Sequence, residues 1–69
     1  MDYIALGRRV RYIRRGLDIT QAQLAEMAGI STAFVGHIER GTRVPSVETL
    51  ARICKVLGVS ADYLMGLEE

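Results

Sequence analysis

Thr32, Ala33, Gly36 and His37 fall at i, i+1, i+4 and i+5 of the stretch GISTAFVGHIERG, a spacing that gathers them on one side of a short helix. Phe34, Val35 and Ile38 lie opposite as an apolar stripe. A threonine hydroxyl donates or accepts, its methyl and that of Ala33 pack on another methyl, and an imidazole pairs with an acceptor or, protonated, with an anion. These groups recognise a patterned edge; they do not break bonds. Catalysis would need an activated nucleophile, a convergent acid/base pair or a metal set, and the chain has one histidine, one cysteine, no His/Cys cluster and no glycine-rich phosphate loop. No catalytic residue, metal or cofactor is therefore expected. Gly36 needs its own explanation, because glycine inside a helix costs about 1 kcal/mol relative to alanine. Either it lets the helix backbone approach a ligand closely, or it relieves crowding against a neighbouring stretch of chain.

Sixty-nine residues make a single domain, 1–69, near the size at which one apolar core only just suffices, and one cysteine offers no internal disulfide. Self-association is expected from size alone. The net charge is only +1, but it is split. Residues 1–45 carry seven arginines against Asp2, Asp18, Glu26 and Glu39, a net +3, whereas residues 46–69 carry Arg52 and Lys55 against Glu48, Asp62, Glu68 and Glu69, a net −2. A polyanion would meet the N-terminal part. No apolar run approaches the roughly 18 residues of a membrane span, and the N-terminus has no signal-peptide core. A cytoplasmic protein with no membrane partner is expected.

The elements that would position the recognition face are helices divided by strong punctuation. Leu6, Val10, Ile13 and Leu17 form one face of a first helix that Gly16 ends or frays, with Arg8, Arg9, Arg11 and Arg15 read as solvated on its other faces. Thr20 opens a second helix with Gln23 three residues on, a capping box, and Leu24, Met27 and Ala28 continue the spacing to Gly29. Ser31 caps the third helix and Gly41 ends it. After the TRVP loop Ser46 caps a fourth, whose expected buried stripe is Val47, Leu50, Ala51, Cys54 and Leu57, closed by Gly58. Cys54 belongs to that stripe as a packing residue. Ser60 caps a last short helix with Tyr63 and Leu64. Nothing alternates with period two, so the fold class is all-α, five helices. The second and third helices, joined by GIS, are too short for a hairpin but cross steeply if the contact is small, and Ala25 supplies the small residue.

That crossing is a helix-turn-helix, and TQAQLAEMAGISTAFVGHIERG resembles the phage repressor and Cro-like (Xre) family of such proteins. The resemblance rests on Gln21, the Leu24–Ala25 pair, the turn Gly29, and apolar Ile30, Val35 and Ile38. The IERG ending and PSVETLARICKVLGVSADYL extend it over roughly residues 6–65.

The resemblance implies a lambda repressor-like domain that binds double-stranded DNA with its third helix in the major groove, which agrees with the face described above. Thr32, Ala33, Gly36 and His37 would then meet base edges, although the family more often offers longer amides there. Gln21, Ser31, Arg40, Thr42 and Arg43 would approach phosphates, Gln21 and Ser31 at helix starts that favour an anion. Arg14 and Glu39 match a family ion pair joining the first helix to the third. A homodimer on a palindromic operator is implied, with Leu64, Met65 and Leu67 as an expected pairing surface; an effector within this chain is not. The alternatives from another class are a protein-interaction module that keeps the fold without reading DNA, or an antitoxin-like component.

Overall fold

Each helix starts where a short polar side chain takes up a backbone amide three residues ahead: Asp2 accepts from Ala5, Thr20 from Gln23, Ser31 from Phe34, Ser46 from Thr49 and Ser60 from Tyr63. The elements that follow in the computed structural model, which describes residues 1–67, are α1 (Tyr3–Gly16), α2 (Gln21–Ala28), α3 (Thr32–Arg40), α4 (Val47–Leu57) and α5 (Ala61–Met65). Among the described residues all regular structure is helical. At α2 the capping is reciprocal, the Gln23 side chain accepting the Thr20 amide at 2.8 Å. Glu68 and Glu69, part of the acidic C-terminal third, lie outside the described residues.

The helices wrap one core. α1 packs against α3 and α5, while α2 crosses α3 and rests on α4. Leu6 and Val10 from α1, Leu24 and Ala28 from α2, Val35 and Ile38 from α3, Ile53 from α4 and Leu64 from α5 are all at most 2% exposed. No helix among the described residues is long and apolar enough to cross a membrane.

The tightest approach is between α1 and α3, at Gly7. A Cβ there would lie 2.2 Å from the carbonyl oxygen of Ile38 and 2.6 Å from that of Glu39, so only glycine lets the two backbones touch. The turn after α3 is equally specific. Gly41 takes φ 75° and lies so close to α1 that a Cβ would stand 2.8 Å from the Ile4 Cα.

Several expected placements are corrected. Val47 is 87% exposed and Ala51 is exposed, whereas Ile53 is fully buried. The buried stripe of α4 is Leu50, Ile53, Cys54 and Leu57, an i, i+3, i+4, i+7 set that periodicity alone did not separate from the set anchored on Val47. Leu17 is the C-cap of α1 and half exposed. Leu64 is fully buried and Met65 packs against the core, so of the three residues expected to pair two copies only Leu67 is exposed. Arg9 is not simply solvated: its Nη1 donates to the Leu64 carbonyl at 3.2 Å and so caps α5.

Candidate nucleic-acid interface

α3 is held from behind. Val35 and Ile38 enter the core, Phe34 is half-buried against it, and the small buried Ala25 and Ala28 lie on the α2 that crosses it. Thr32 and Ala33 are left exposed in the first turn, and Ser31 just before them.

The far end of α3 is clamped by a buried ionic bracket. Arg14 Nε donates to Glu39 Oε2 at 2.6 Å and Nη2 to Oε1 at 3.1 Å, a two-pronged contact whose side chains are 9% and 2% exposed. The remaining nitrogen, Nη1, donates to the Ile19 carbonyl at 2.8 Å. Gln21 Nε2 donates to Glu39 Oε1 at 3.1 Å, which ties the start of α2 to the end of α3. No fully buried side-chain polar atom among the described residues lacks a partner. The hydrogen bond to Glu39, reinforced by its charge, raises the Arg14 guanidinium above the ordinary arginine value against the opposing effect of burial. A base raised in this way adds stability below its unfolded-state value, which is lost only as pH climbs through the higher folded one. Arg14 therefore stays charged throughout the neutral and moderately alkaline range.

The recognition face is less bare than its sequence implies. Gly36 is buried, and the three atoms nearest its missing Cβ all belong to the Arg40 guanidinium, starting at 3.0 Å. No backbone is among them, so crowding by a neighbouring chain segment does not explain this glycine; Gly7 has that role. Replacing Gly36 by Ala asks only a flexible side-chain end to move. Urea unfolding is expected to show a gain of about 0.5–1 kcal/mol from helix propensity.

The other candidate residues divide by the hydrogen-bonding capacity they retain. Ser31 Oγ accepts the Phe34 amide at 3.0 Å and keeps its hydroxyl hydrogen to give. Gln21 has spent one amide hydrogen on Glu39 and has one left. Arg40 and Arg43 are exposed. Thr42, expected near a phosphate, is engaged within the protein: its hydroxyl donates to the His37 carbonyl at 3.2 Å, its amide donates to the same carbonyl at 3.0 Å, and the hydroxyl oxygen lies 2.9 Å from His37 Nδ1. His37 is half-buried, one ring nitrogen turned to Thr42.

Sequence reasoning missed three positioning residues. Gly7 shares a face with Val10 and Arg14, and a glycine on a buried stripe was the available signal. Arg52 donates to the Ala28 carbonyl at the end of α2 and pairs with Glu48 one turn away, a spacing legible as i, i+4. Arg9 gave no such signal. Burial raises the Cys54 thiol, as befits a packing residue. Among the described residues no group of three or more potential metal ligands occurs.

A helix capped by serine, backed by the core and crossed by a shorter capped helix across a Gly29 turn defines a helix-turn-helix domain. The helix-turn-helix family model matches residues 10–64, and the chain belongs to that family, in the group that includes the phage repressors. It is 43% identical over 58 residues to the uncharacterized HTH-type transcriptional regulator YazB of Bacillus subtilis, covering 84% of each chain. It is 35% identical over 65 residues to the immunity repressor protein of Bacillus phage phi105, covering 94% of this chain and 45% of that one. The chain thus spans less than half of that repressor and most of YazB. The crystal structure of the P22 c2 repressor protein with a synthetic operator superposes with a TM-score of 0.87 at 36% identity, covering 91% of this chain and 96% of that one.

Proposed function

We propose that the protein is a transcriptional regulator that binds operator DNA, laying α3 in the major groove with Thr32, Ala33 and His37 toward base edges and Arg40 and Arg43 toward phosphates. The observation that carries this reading is the mounting of α3: its carboxyl end is fixed by Gly7, Arg14 and Gln21, while its first turn stands exposed. A rigidly backed helix with free hydrogen-bonding groups and adjacent arginines suits a groove about 12 Å wide. The P22 c2 relative, solved with an operator, supports the same reading.

The test is selection of binding sites from a random DNA pool, followed by affinity measurement across a salt series. Counterion release by Arg40 and Arg43 gives a log–log slope on the order of −2 per protomer, and Arg43→Ala should reduce its magnitude by about 1. A protein-interaction module would enrich no sequence and show little salt dependence. Gly36→Leu is expected to fold, since the atoms nearest a Cβ there belong to the flexible Arg40 guanidinium, yet to lose specific binding by holding the helix off the base edges. Normal operator binding by that variant would show that α3 does not enter the groove closely.

We further propose a homodimer. Tyr3, Val44 and Val47 are 38%, 52% and 87% exposed around a shallow groove that Leu50 and Met65 help to line. Val44 follows Arg43 directly and Val47 lies four residues on, so a second copy seated there would lie close in sequence to the end of α3. Val47→Glu is expected to halve the sedimentation mass and to weaken palindromic-site binding by roughly a hundredfold while leaving half-site binding unchanged. An unchanged mass at micromolar concentration would remove this surface from consideration.

A further inference from the structure

We infer that Thr42 fixes the tautomer of His37, and so makes His37 a reader of bases that present an amino group in the major groove; the base assignment rests on the DNA-reading function proposed above. The Thr42 hydroxyl carries one hydrogen and makes two close contacts, 2.9 Å to His37 Nδ1 and 3.2 Å to the His37 carbonyl. If Nδ1 were the unprotonated nitrogen, the hydroxyl hydrogen could serve only one of them. With hydrogen on Nδ1, both contacts become hydrogen bonds: the ring donates to the threonine oxygen, and the threonine hydroxyl donates to the carbonyl. The carbonyl belongs to the last turn of α3, where it accepts the amide of the capping Gly41. It takes the Thr42 amide at 3.0 Å as well, so backbone geometry holds the threonine where the ring needs it.

Protonation at Nδ1 leaves Nε2 of the neutral ring as an acceptor only. Of the groups in the major groove, adenine N6 and cytosine N4 offer hydrogens, while guanine O6 and N7 and thymine O4 do not. His37 therefore accepts from adenine or cytosine on the strand it faces and leaves the keto bases unpaired. This reverses the simplest expectation for a histidine, pairing with a guanine acceptor, and makes Thr42 a positioning residue that need not touch DNA.

Two measurements on the full chain, both in mildly alkaline buffer where an ordinary imidazole is neutral, test the inference. Long-range proton–nitrogen correlation spectra should show His37 protonated at Nδ1 in the parent and in Thr42→Ser, and shifted toward Nε2 protonation in Thr42→Val. Site selection should then reveal one position, identified by its loss of preference in His37→Ala, where adenine and cytosine are favoured over guanine and thymine by about fivefold, the worth of one net hydrogen bond. Thr42→Val should erase that preference and Thr42→Ser should keep it, with the other positions unaltered. Nε2 protonation in the parent overturns the tautomer lock. A keto preference, or an amino preference that survives Thr42→Val, overturns the base assignment while leaving DNA binding intact. If no sequence is enriched at all, the DNA-reading function falls and takes the base assignment with it, while the spectra still decide the tautomer.

Discussion

Replacing Arg14 by Ala is expected to lower the free energy of unfolding by about 3–5 kcal/mol, most of the stability a domain of this size possesses. The loss does not measure the attraction between Arg14 and Glu39. It comes from stranding a carboxylate whose side chain is 2% exposed, with Gln21 as its one remaining donor, and from removing the donor to the Ile19 carbonyl. The same logic predicts that Arg14→Met combined with Glu39→Leu loses far less than the two single changes summed, because no charge is then left buried. Urea titrations of the parent, Arg14→Ala, Arg14→Met, Glu39→Leu and the double variant check both statements. Curves for Arg14→Ala that superpose on the parent would mean that the bracket is solvated in solution.

Gly7→Ala is expected to cost about 3 kcal/mol or more, beyond the usual range for an added methyl group in a packed interior. A methyl 2.2 Å from one carbonyl oxygen and 2.6 Å from the next meets main chain, which cannot rotate away as a side chain can. α1 and α3 must separate, and α3 must shift relative to α2. Operator affinity should therefore fall even at temperatures where the variant remains folded. Gly36→Ala is the internal control, since the same change two residues before Ile38 meets only the Arg40 guanidinium and should stabilise. If both substitutions have small effects of the same sign, the close contact between α1 and α3 is not maintained in solution.

The helix starts and stops were legible because they depend on local chemistry. Thr20, Ser31, Ser46 and Ser60 each cap from the residue expected, and Gly29, Gly41 and Gly58 each follow the last helical residue. The helix-turn-helix was legible from its pattern across both helices. What escaped depends on which of two neighbouring faces a helix turns inward, and that is decided by the partner. On α4, Val47 and Ile53 are similar aliphatic residues at the edges of overlapping stripes, and only docking onto α2 and α5 buries one and exposes the other. The candidate contacts showed the same division. The sequence placed Arg40 beyond the recognition face, whereas its side chain folds back one turn over Gly36. It also offered Thr42 as a loop residue facing outward, whereas the turn at Gly41 brings its hydroxyl to His37.

The arginine that caps α5 bears on how the chain is made. Helices of eight and five residues are well below the ~12–15 residues at which isolated helices begin to hold in water. The carbonyl ends of α2 and α5 are served from elsewhere, α2 by Arg52 of α4 and α5 by Arg9 of α1. Arg9 and Leu64 are 55 positions apart, so α1 and α5 must meet before this cap can form. A chain made only as far as α4 lacks Leu64 in its core and the acceptor for Arg9, and is expected to hold helix-forming segments without the closed domain.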